Sequence, residues 1–348
     1  MSNTNIIQRT PEDICLLCLI NKATQKGSHY TPMSMLASNT GKRGYEFTAI
    51  IDPNSETLIH PYFGRSNSKN NDPEIKKDPH IDDFIFCPEC EKKLSVLEDL
   101  VVPILTTKLK SNSQKSNFPQ SKTAQNTSFI SCLKNKPSII ALLVYSIIWR
   151  QHIQQWIMGG LKVFNDNEGE IIRKALNDNL SDNRKHLIKN DVLLPNIEFV
   201  IFTSTEFDNT TKNFVKPMDY LIQPYMFMIN EFIVLVDFKK LKPQKNTYYF
   251  DLDEYLIDNE LINNGKDIIK IGLFNMEQWN KINKESYDIL FRIFHHKMVL
   301  RFEKESGLPY ALSSFLLDKC VNLIIRQPEI HAAECYRICF EGLKKSLI

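Results

Sequence analysis

The stretch CLLCLINKATQKGSHYTP, residues 15–32, begins with two cysteines separated by two residues, and ten further residues separate the second cysteine from His29. A second pair with the same spacing occurs in CPEC, residues 87–90. Two such pairs are the pattern that supplies four thiolates to a tetrahedral zinc ion. The 68 residues between the pairs exceed the usual spacing of a zinc ribbon. We therefore predict a structural zinc site, against the alternative of four ordinary buried thiols. The predicted ligands are Cys15, Cys18, Cys87 and Cys90.

Hydrophobic residues recur at helical spacing after the second pair. In EKKLSVLEDLVVPIL, residues 91–105, leucines and valines lie on one side of a predicted helix. The order of elements predicted here is that of a treble clef. A cysteine knuckle is followed by a region of loops with a short strand at residues 45–51, then by a second knuckle and a helix. Zinc would take the place of a hydrophobic core in such a small lobe. The sequence thus predicts a zinc module over residues 1–108.

The chain after this module begins with helices. PSIIALLVYSIIWRQHIQQWIMGG, residues 137–160, predicts a buried helix that ends at two glycines. Apolar residues at helical spacing predict an amphipathic helix over residues 168–188. Long helices are also predicted near the C-terminus, over residues 277–302 and 310–347.

Between these helices the composition changes to β-branched and aromatic residues, which favour strands. In YMFMINEFIVLVDF, residues 225–238, Asn230 and Glu231 are expected at a hairpin turn. The predicted fold class is therefore α+β. A treble-clef zinc module is followed by a helical block, a small antiparallel sheet or hairpin, and C-terminal helices, with the body spanning residues 137–348.

Positive charge is concentrated in one part of the chain, although the formal net charge is only +2. No acidic residue occurs between Asp99 and Asp166. Within this stretch, residues 109–136 are polar and predict a flexible basic loop. Lysines on such a loop can bind phosphates without reading bases, and a solvated loop without a partner is the alternative. The candidate nucleic-acid-binding residues are Lys108, Lys110, Lys115 and Lys122.

Composition and hydropathy favour a globular cytoplasmic protein, since 43% of the residues are hydrophobic and 24% are charged. Residues 1–10 are polar and lack the pattern of a signal peptide. The longest apolar run, residues 139–149, is shorter than a membrane span. Eight cysteines without an export signal favour reduced thiols or metal ligands over disulfides. We therefore expect a cytoplasmic protein with no membrane partner.

Five short motifs follow one another in an order that resembles a family of bacterial HNH endonuclease-like proteins. They are CLLC, SHYTP, CPEC, VLED and YSIIWR. The later motif IIRKAL and the predicted hairpin at residues 225–238 also fit, so the resemblance covers roughly residues 15–238. It implies a protein that acts on nucleic acid, expected to be DNA, and the family name associates it with bacterial defence against phage and with a protein partner in a defence complex.

The resemblance implies catalytic roles for particular residues. His29 occupies the position of the general base that activates water, a task that suits the titration range of histidine. The preceding position usually holds a ligand of a catalytic divalent ion such as Mg²⁺ or Mn²⁺, but here it is Ser28, a weak ligand for a hard cation. Glu98 is a candidate metal ligand or a group that orients His29. The alternative is that His29 packs against the zinc lobe with Glu98 as its hydrogen-bond partner.

A second arrangement of charged residues lies at the predicted hairpin. Asp219 precedes an apolar strand, and Asp237 and Lys239 follow at its end, as in the PD-(D/E)xK nucleases. Alternate residues of a strand project from one face, which would place Asp237 beside Lys239. Two carboxylates and a lysine can hold a divalent metal and stabilise charge on a phosphate. A strand end that meets solvent is the alternative.

These observations leave three hypotheses. The first is a zinc-binding HNH-like protein that acts on nucleic acid with a degenerate catalytic motif. The second is a non-catalytic interaction or regulatory subunit, stabilised by zinc, that docks onto a partner enzyme. The third is a metal-dependent nuclease whose site is the hairpin. In the HNH-like pattern a histidine or asparagine on the following helix completes the metal site, and residues 91–105 contain neither. This departure and the one at Ser28 leave it open whether the protein is an enzyme.

Overall fold

The computed structural model describes residues 7–32, 34–36, 47–51, 59–63, 81–157, 162–204, 215–222, 224–241, 259–324, 338–339, 341–343 and 345. The described chain is α+β, as predicted. It divides into two compact units. The first comprises Met1–Gly41 and His80–Trp279, and the second comprises Lys42–Pro79 and Asn280–Ile348.

The helices and strands are numbered in chain order. The strands are β1 (Ser28–His29), β2 (Phe47–Ile51), β3 (Ile59–Phe63), β4 (Ile81–Asp82), β5 (Gln120–Lys122), β6 (Ser128–Ser131), β7 (Glu198–Thr203), β8 (Val215–Ile222), β9 (Tyr225–Ile229), β10 (Phe232–Asp237) and β11 (Lys270–Leu273). The helices are α1 (Pro88–Pro103), α2 (Pro137–Ile157), α3 (Asp166–Asn179), α4 (Arg184–Lys189), α5 (Met276–Ser306) and α6 (Tyr310–Ile324).

In the first unit, β1 and α1 carry the residues that the sequence singled out. β1 pairs antiparallel with β4, with Ser28 opposite Asp82 and His29 opposite Ile81. α1 begins directly after Cys87, with Pro88 in its first turn, where the missing N–H of proline costs nothing. This helix was predicted from the leucine spacing. Its buried face is Cys90, Leu94, Leu97, Val101 and Val102.

Seven strands of the first unit form one mixed sheet in the order β5-β6-β11-β7-β10-β9-β8. Each neighbouring pair is antiparallel except β11 and β7, which are parallel. The sheet is therefore larger than the hairpin predicted from the sequence. The predicted hairpin turn is confirmed, because Ile229 pairs with Phe232 across Asn230 and Glu231.

The segment predicted to be a flexible loop contains regular structure, so that prediction was wrong in part. A 3₁₀ helix spans Asn112–Asn117, and β5 and β6 then form the end of the sheet. All three residues of β5 are exposed. This edge strand is held in place by backbone hydrogen bonds to β6. Such pairing does not require a hydrophobic pattern in the sequence.

Helix α2 is buried along almost its whole length, as its apolar sequence predicted. The helix predicted over residues 168–188 is instead two helices, α3 and α4. The chain leaves helical geometry after Asn179, and the side chain of Asn183 accepts hydrogen bonds from the N–H groups of Lys185 and His186. A capping asparagine therefore starts a new helix where periodicity alone predicted continuation.

The second unit contains β2 paired antiparallel with β3, which confirms the short strand predicted near residues 45–51. The predicted helix over residues 277–302 is confirmed by α5, which ends before Gly307 with a backbone φ of 72°. α6 confirms the first half of the last predicted helix, and residues 325–337 lie outside the described chain. In the described part of the chain, every helix is too short or too polar to cross a membrane.

Candidate metal centre

The four predicted cysteine ligands come together in space, although 68 residues separate the two pairs. All four sulfur atoms lie within 4.8 Å of one another. The Sγ atoms of Cys18 and Cys87 are 3.9 Å apart. A tetrahedral ion with zinc–sulfur bonds of about 2.3 Å requires its sulfurs to be about 3.8 Å apart. The four cysteines could therefore hold a metal ion such as zinc, and the predicted gathering of the two pairs is confirmed.

The chemistry of the sulfur cluster favours ionisation of at least one thiol. A hydrogen bond from Cys90 lowers the pKa of Cys15 to about 5. The same bond raises the pKa of Cys90, because the proton it donates is held between the two sulfurs. Burial raises the pKa of Cys87 to about 11. A metal ion would displace the shared protons, since thiolates are the ligand form of cysteine.

Asn21 contributes contacts to the sulfur cluster that the cysteine spacing does not reveal. Its backbone N–H lies 3.5 Å from Sγ of Cys18, and its Nδ2 lies 3.8 Å from Sγ of Cys87. The backbone N–H of Cys15 donates a hydrogen bond of 2.8 Å to the carbonyl oxygen of Asn21. Asn21 therefore touches both cysteine pairs, and its N–H groups stabilise negative charge on sulfur.

Two arginines outside the cysteine motifs fix the backbone of the knuckles. Arg173, in α3, donates a hydrogen bond of 2.5 Å to the carbonyl oxygen of Leu17. Arg9 donates to the carbonyl oxygens of Phe84, at 2.7 Å, and Ile14, at 2.5 Å. The pKa of Arg173 is raised first by its hydrogen bonds to Glu170, with a smaller contribution from the charge of Cys18. Sequence reasoning missed both arginines because their partners are distant carbonyl groups.

His29 lies on β1, and its side chain is half-buried. Ser28, which occupies the position of a metal ligand in the HNH-like pattern, is only 1% exposed. The next two residues are also tied to neighbouring elements. The hydroxyl of Tyr30 donates to Asp82 at 2.8 Å, and Gln151 of α2 donates to the hydroxyl of Thr31 at 2.7 Å. The segment around His29 is therefore held in place on both sides.

Glu98 forms an ion pair with a buried arginine. Its Oε1 lies 2.7 Å from Nη1 of Arg150, which is only 1% exposed. The same Nη1 donates a hydrogen bond of 2.9 Å to the carbonyl oxygen of His29. The structure thus connects the two predicted catalytic residues through Arg150. The predicted catalytic roles of Glu98 and His29 stay predictions.

Glu91 lies two helical turns before Glu98 on α1 and belongs to the same group of charges. Burial raises its pKa, and the nearby charge of Arg150 and the hydroxyl of Ser28 oppose this shift. Neither Oε2 of Glu91 nor Oγ of Ser28 makes a hydrogen bond of ordinary geometry within the described chain. The buried guanidinium of Arg150 therefore contacts the partly exposed carboxylate of Glu98, and one buried carboxylate oxygen of Glu91 lies on the same helix.

The proposed hairpin site lacks the predicted strand geometry. β10 ends at Asp237, so Lys239 lies beyond the strand, and the expected alternation of side chains does not reach it. The carboxylate of Asp237 accepts a hydrogen bond of 2.8 Å from the backbone N–H of Lys239, which closes a local turn. Asp219 lies in β8, and its side chain is outside the described residues. The local turn explains the Asp-x-Lys spacing without a metal.

The four candidate lysines differ in their surroundings. Lys108, Lys115 and Lys122 are exposed. Nζ of Lys110 lies 2.7 Å from a carboxylate oxygen of Glu231, which is only 3% exposed. Lys110 is thus engaged in an ion pair at the turn between β9 and β10. Binding of nucleic acid by the three exposed lysines stays a prediction.

Among the residues that the structure describes, the four cysteines are the one group of histidine, cysteine and acidic side chains spaced as metal ligands. Comparison of the chain with protein-family models, with curated proteins and with solved structures gives no significant match. The cysteine cluster and its immediate surroundings are therefore the features of this chain that indicate a function.

Proposed function

We propose that this protein is a zinc-stabilised, HNH-like protein of treble-clef type that acts on nucleic acid with a degenerate catalytic motif. The observation that supports the proposal is the convergence of the four sulfur atoms, which lie within 4.8 Å of one another, so that the two knuckles are brought together. β1 follows the first knuckle and β4 precedes the second, and these two strands pair. Because these strands connect to the two knuckles, binding of a metal ion by the four cysteines would help to fix the position of His29.

In this proposal His29 accepts a proton from a water molecule as the water oxygen attacks a phosphodiester. The bond from phosphorus to the leaving oxygen breaks, and that oxygen takes up a proton from solvent water. His29 as a residue is only half-buried, which is compatible with the access to solvent that a general base requires. In the proteins that the sequence resembles, a divalent cation stabilises the charge on the phosphate. Here the buried Ser28 is a poor ligand for such a cation, which is why we describe the motif as degenerate.

Positive charge supports nucleic acid as the partner. Lys108, Lys115 and Lys122 are exposed in a stretch of sequence that contains no acidic residue. Exposed lysines bind phosphates with release of counter-ions, and such binding does not depend on the base sequence. DNA and a role in phage defence are suggested by the resemblance alone.

The test is cleavage of plasmid and of single-stranded nucleic acid by the zinc-loaded protein, with Mg²⁺, Mn²⁺ or Ni²⁺ supplied separately. We expect the wild-type protein to cleave slowly and His29→Ala to abolish cleavage. Asp237→Ala is the matched control and should leave cleavage unchanged. Cleavage that survives His29→Ala but is lost in Asp237→Ala would assign the activity to the hairpin. Intact substrates under every condition would reject the catalytic part of the proposal.

A non-catalytic interaction protein is the second candidate, and the Glu98–Arg150 ion pair favours it. A carboxylate that is already paired with a buried guanidinium is a poor candidate for chemistry. The first knuckle also exposes Leu19, at 51%, and Ile20, at 77%, as expected for a surface that contacts another protein. If this candidate is correct, Leu19→Ser with Ile20→Ser should abolish partner binding and leave zinc content and melting temperature unchanged.

A further inference from the structure

We propose that the guanidinium of Arg150 takes the place of a catalytic divalent cation beneath the His29 strand, so that the carboxylates there bind no divalent metal. The inference rests on the proposed function only in treating His29 as the functional residue. It adds that Arg150 is a positioning residue for His29, and that any chemistry at this site proceeds without a second metal.

The contacts of Arg150 support this assignment. Nη1 bonds both to Oε1 of Glu98, at 2.7 Å, and to the carbonyl oxygen of His29, at 2.9 Å. Nε donates to the carbonyl oxygen of Ser146 one turn earlier in α2, at 3.2 Å, which fixes the base of the side chain. The guanidinium therefore bridges α1, α2 and β1.

The remaining polar atoms of this region are also enclosed. Nη2 of Arg150 and Oε2 of Glu91 are buried and lack hydrogen-bond partners within the described chain. The guanidinium is thus the cation that pairs with the carboxylate of Glu98, and its remaining N–H group is enclosed.

A divalent cation and this guanidinium compete for the same carboxylates. Mg²⁺ and Mn²⁺ need several oxygen ligands with free lone pairs, and Oε1 of Glu98 is already engaged. Arginine keeps its charge when it is buried, so a nearby dication would be repelled at every ordinary pH. The cation position is therefore filled by the chain itself.

The test is Mn²⁺ binding to the zinc-loaded full-length protein, measured by electron paramagnetic resonance. We expect no bound Mn²⁺ in the wild type at millimolar Mn²⁺. Arg150→Met should create a site that binds one Mn²⁺ with at least tenfold higher affinity than the wild type, and added Glu98→Gln should remove it. Lys92→Met is the control: it removes an exposed cation from α1, the helix that carries Glu98, and should behave as the wild type.

Two results would overturn the proposal. One is stoichiometric Mn²⁺ binding by the wild type that is lost in Glu98→Gln. The other is an Arg150→Met protein that keeps its zinc and its fold but binds no Mn²⁺. Because Arg150→Met removes a buried charge, Arg150→Lys provides a second variant: it keeps a cation and should continue to exclude Mn²⁺. These readouts do not involve cleavage, so failure of the proposed nuclease activity would leave them unchanged.

The positioning role has its own readout. In the zinc-loaded protein, the histidine ring resonances of His29 should shift and broaden in Arg150→Met because the carbonyl of the same residue loses its hydrogen bond. Lys92→Met should leave them unchanged. Resonances of His29 that are identical in Arg150→Met and the wild type would reject the positioning role.

Discussion

Arg173 reaches from α3 to the first cysteine knuckle and donates a hydrogen bond of 2.5 Å from Nη1 to the carbonyl oxygen of Leu17, between the two cysteines of the pair. Glu170 holds the guanidinium in place, since it accepts from Nε at 2.6 Å and from Nη2 at 2.7 Å. Four thiolates around a zinc ion carry a net negative charge, which a nearby guanidinium stabilises. The candidate metal centre therefore includes a residue far from either cysteine motif.

Arg173→Met should weaken retention of zinc. The substitution removes both the hydrogen bond to Leu17 and the positive charge near Cys18. Loss of such an outer contact typically costs about 10- to 100-fold in metal affinity. The measurement is the rate of zinc transfer to a chromogenic chelator. Lys174→Met removes a neighbouring exposed charge and should match the wild type. Equal transfer rates for both variants would show that Arg173 does not support the metal site.

Replacement of a cysteine ligand should remove the metal and destabilise the first unit. Cys90→Ser is expected to lower the zinc content to less than one ion per chain and to lower the melting temperature, because metal binding supplies folding free energy. Elemental analysis and thermal unfolding measure the two effects. Cys132→Ala is the control, because Cys132 is a buried cysteine outside the cluster. Full zinc content in Cys90→Ser would exclude this residue as a ligand.

His152 should make the protein less stable in mild acid. The ring is buried, stacks on Phe164 and accepts a hydrogen bond of 3.1 Å from the N–H of that residue at Nδ1. Burial lowers the pKa of His152 to about 4, and the charge of Lys162 acts in the same direction while that of Asp166 opposes it. The folded state thus favours the neutral ring. Its stabilising contribution is present above pH 6.5, the ordinary histidine value, and is lost as the pH falls towards 4.

Linkage gives the size of the effect. Between pH 7 and pH 5, we expect the free energy of unfolding to fall by about 2 kcal/mol because of this one residue. Denaturant unfolding at the two pH values measures it. In His152→Asn, which keeps an acceptor but does not titrate, that part of the decrease should be missing. The difference between the two proteins separates His152 from the protonation of the cysteines. An equal decrease in both would refute the prediction.

The candidate lysines should separate into two classes. Lys108→Gln, Lys115→Gln and Lys122→Gln should each weaken nucleic-acid binding and reduce the slope of log affinity against log salt by about 1. Lys110→Gln should instead lower the free energy of unfolding by about 1–3 kcal/mol, because it leaves a buried carboxylate oxygen of Glu231 without its partner. Fluorescence anisotropy at several salt concentrations and denaturant unfolding are the two measurements. If only Lys110→Gln changed the slope of log affinity against log salt, Lys110 would be the lysine that binds phosphate and the other three would not.

Much of the local structure followed from the sequence. The apolar sequence of α2, the leucine spacing of α1 and the turn at Asn230 each depend on residues close together in the chain, so periodicity and turn chemistry predicted them. The same reasoning missed β5, because an exposed edge strand is ordered by its neighbour and needs no apolar pattern. It also joined α3 to α4, because periodicity does not show where a capping residue such as Asn183 interrupts a helix.

The sequence by itself determined which four cysteines come together, because each pair lies in a local turn and two such turns can supply the four thiolates of one tetrahedral ion. Only the tertiary structure decided which charges surround them. Arg150 lies 121 residues from its acceptor His29, and Arg173 lies 156 residues from Leu17. A hydrogen bond from a guanidinium to a distant backbone carbonyl produces no recognisable motif in the sequence, since any residue can supply that carbonyl. The cysteine cluster was therefore predictable and its electrostatic environment was not.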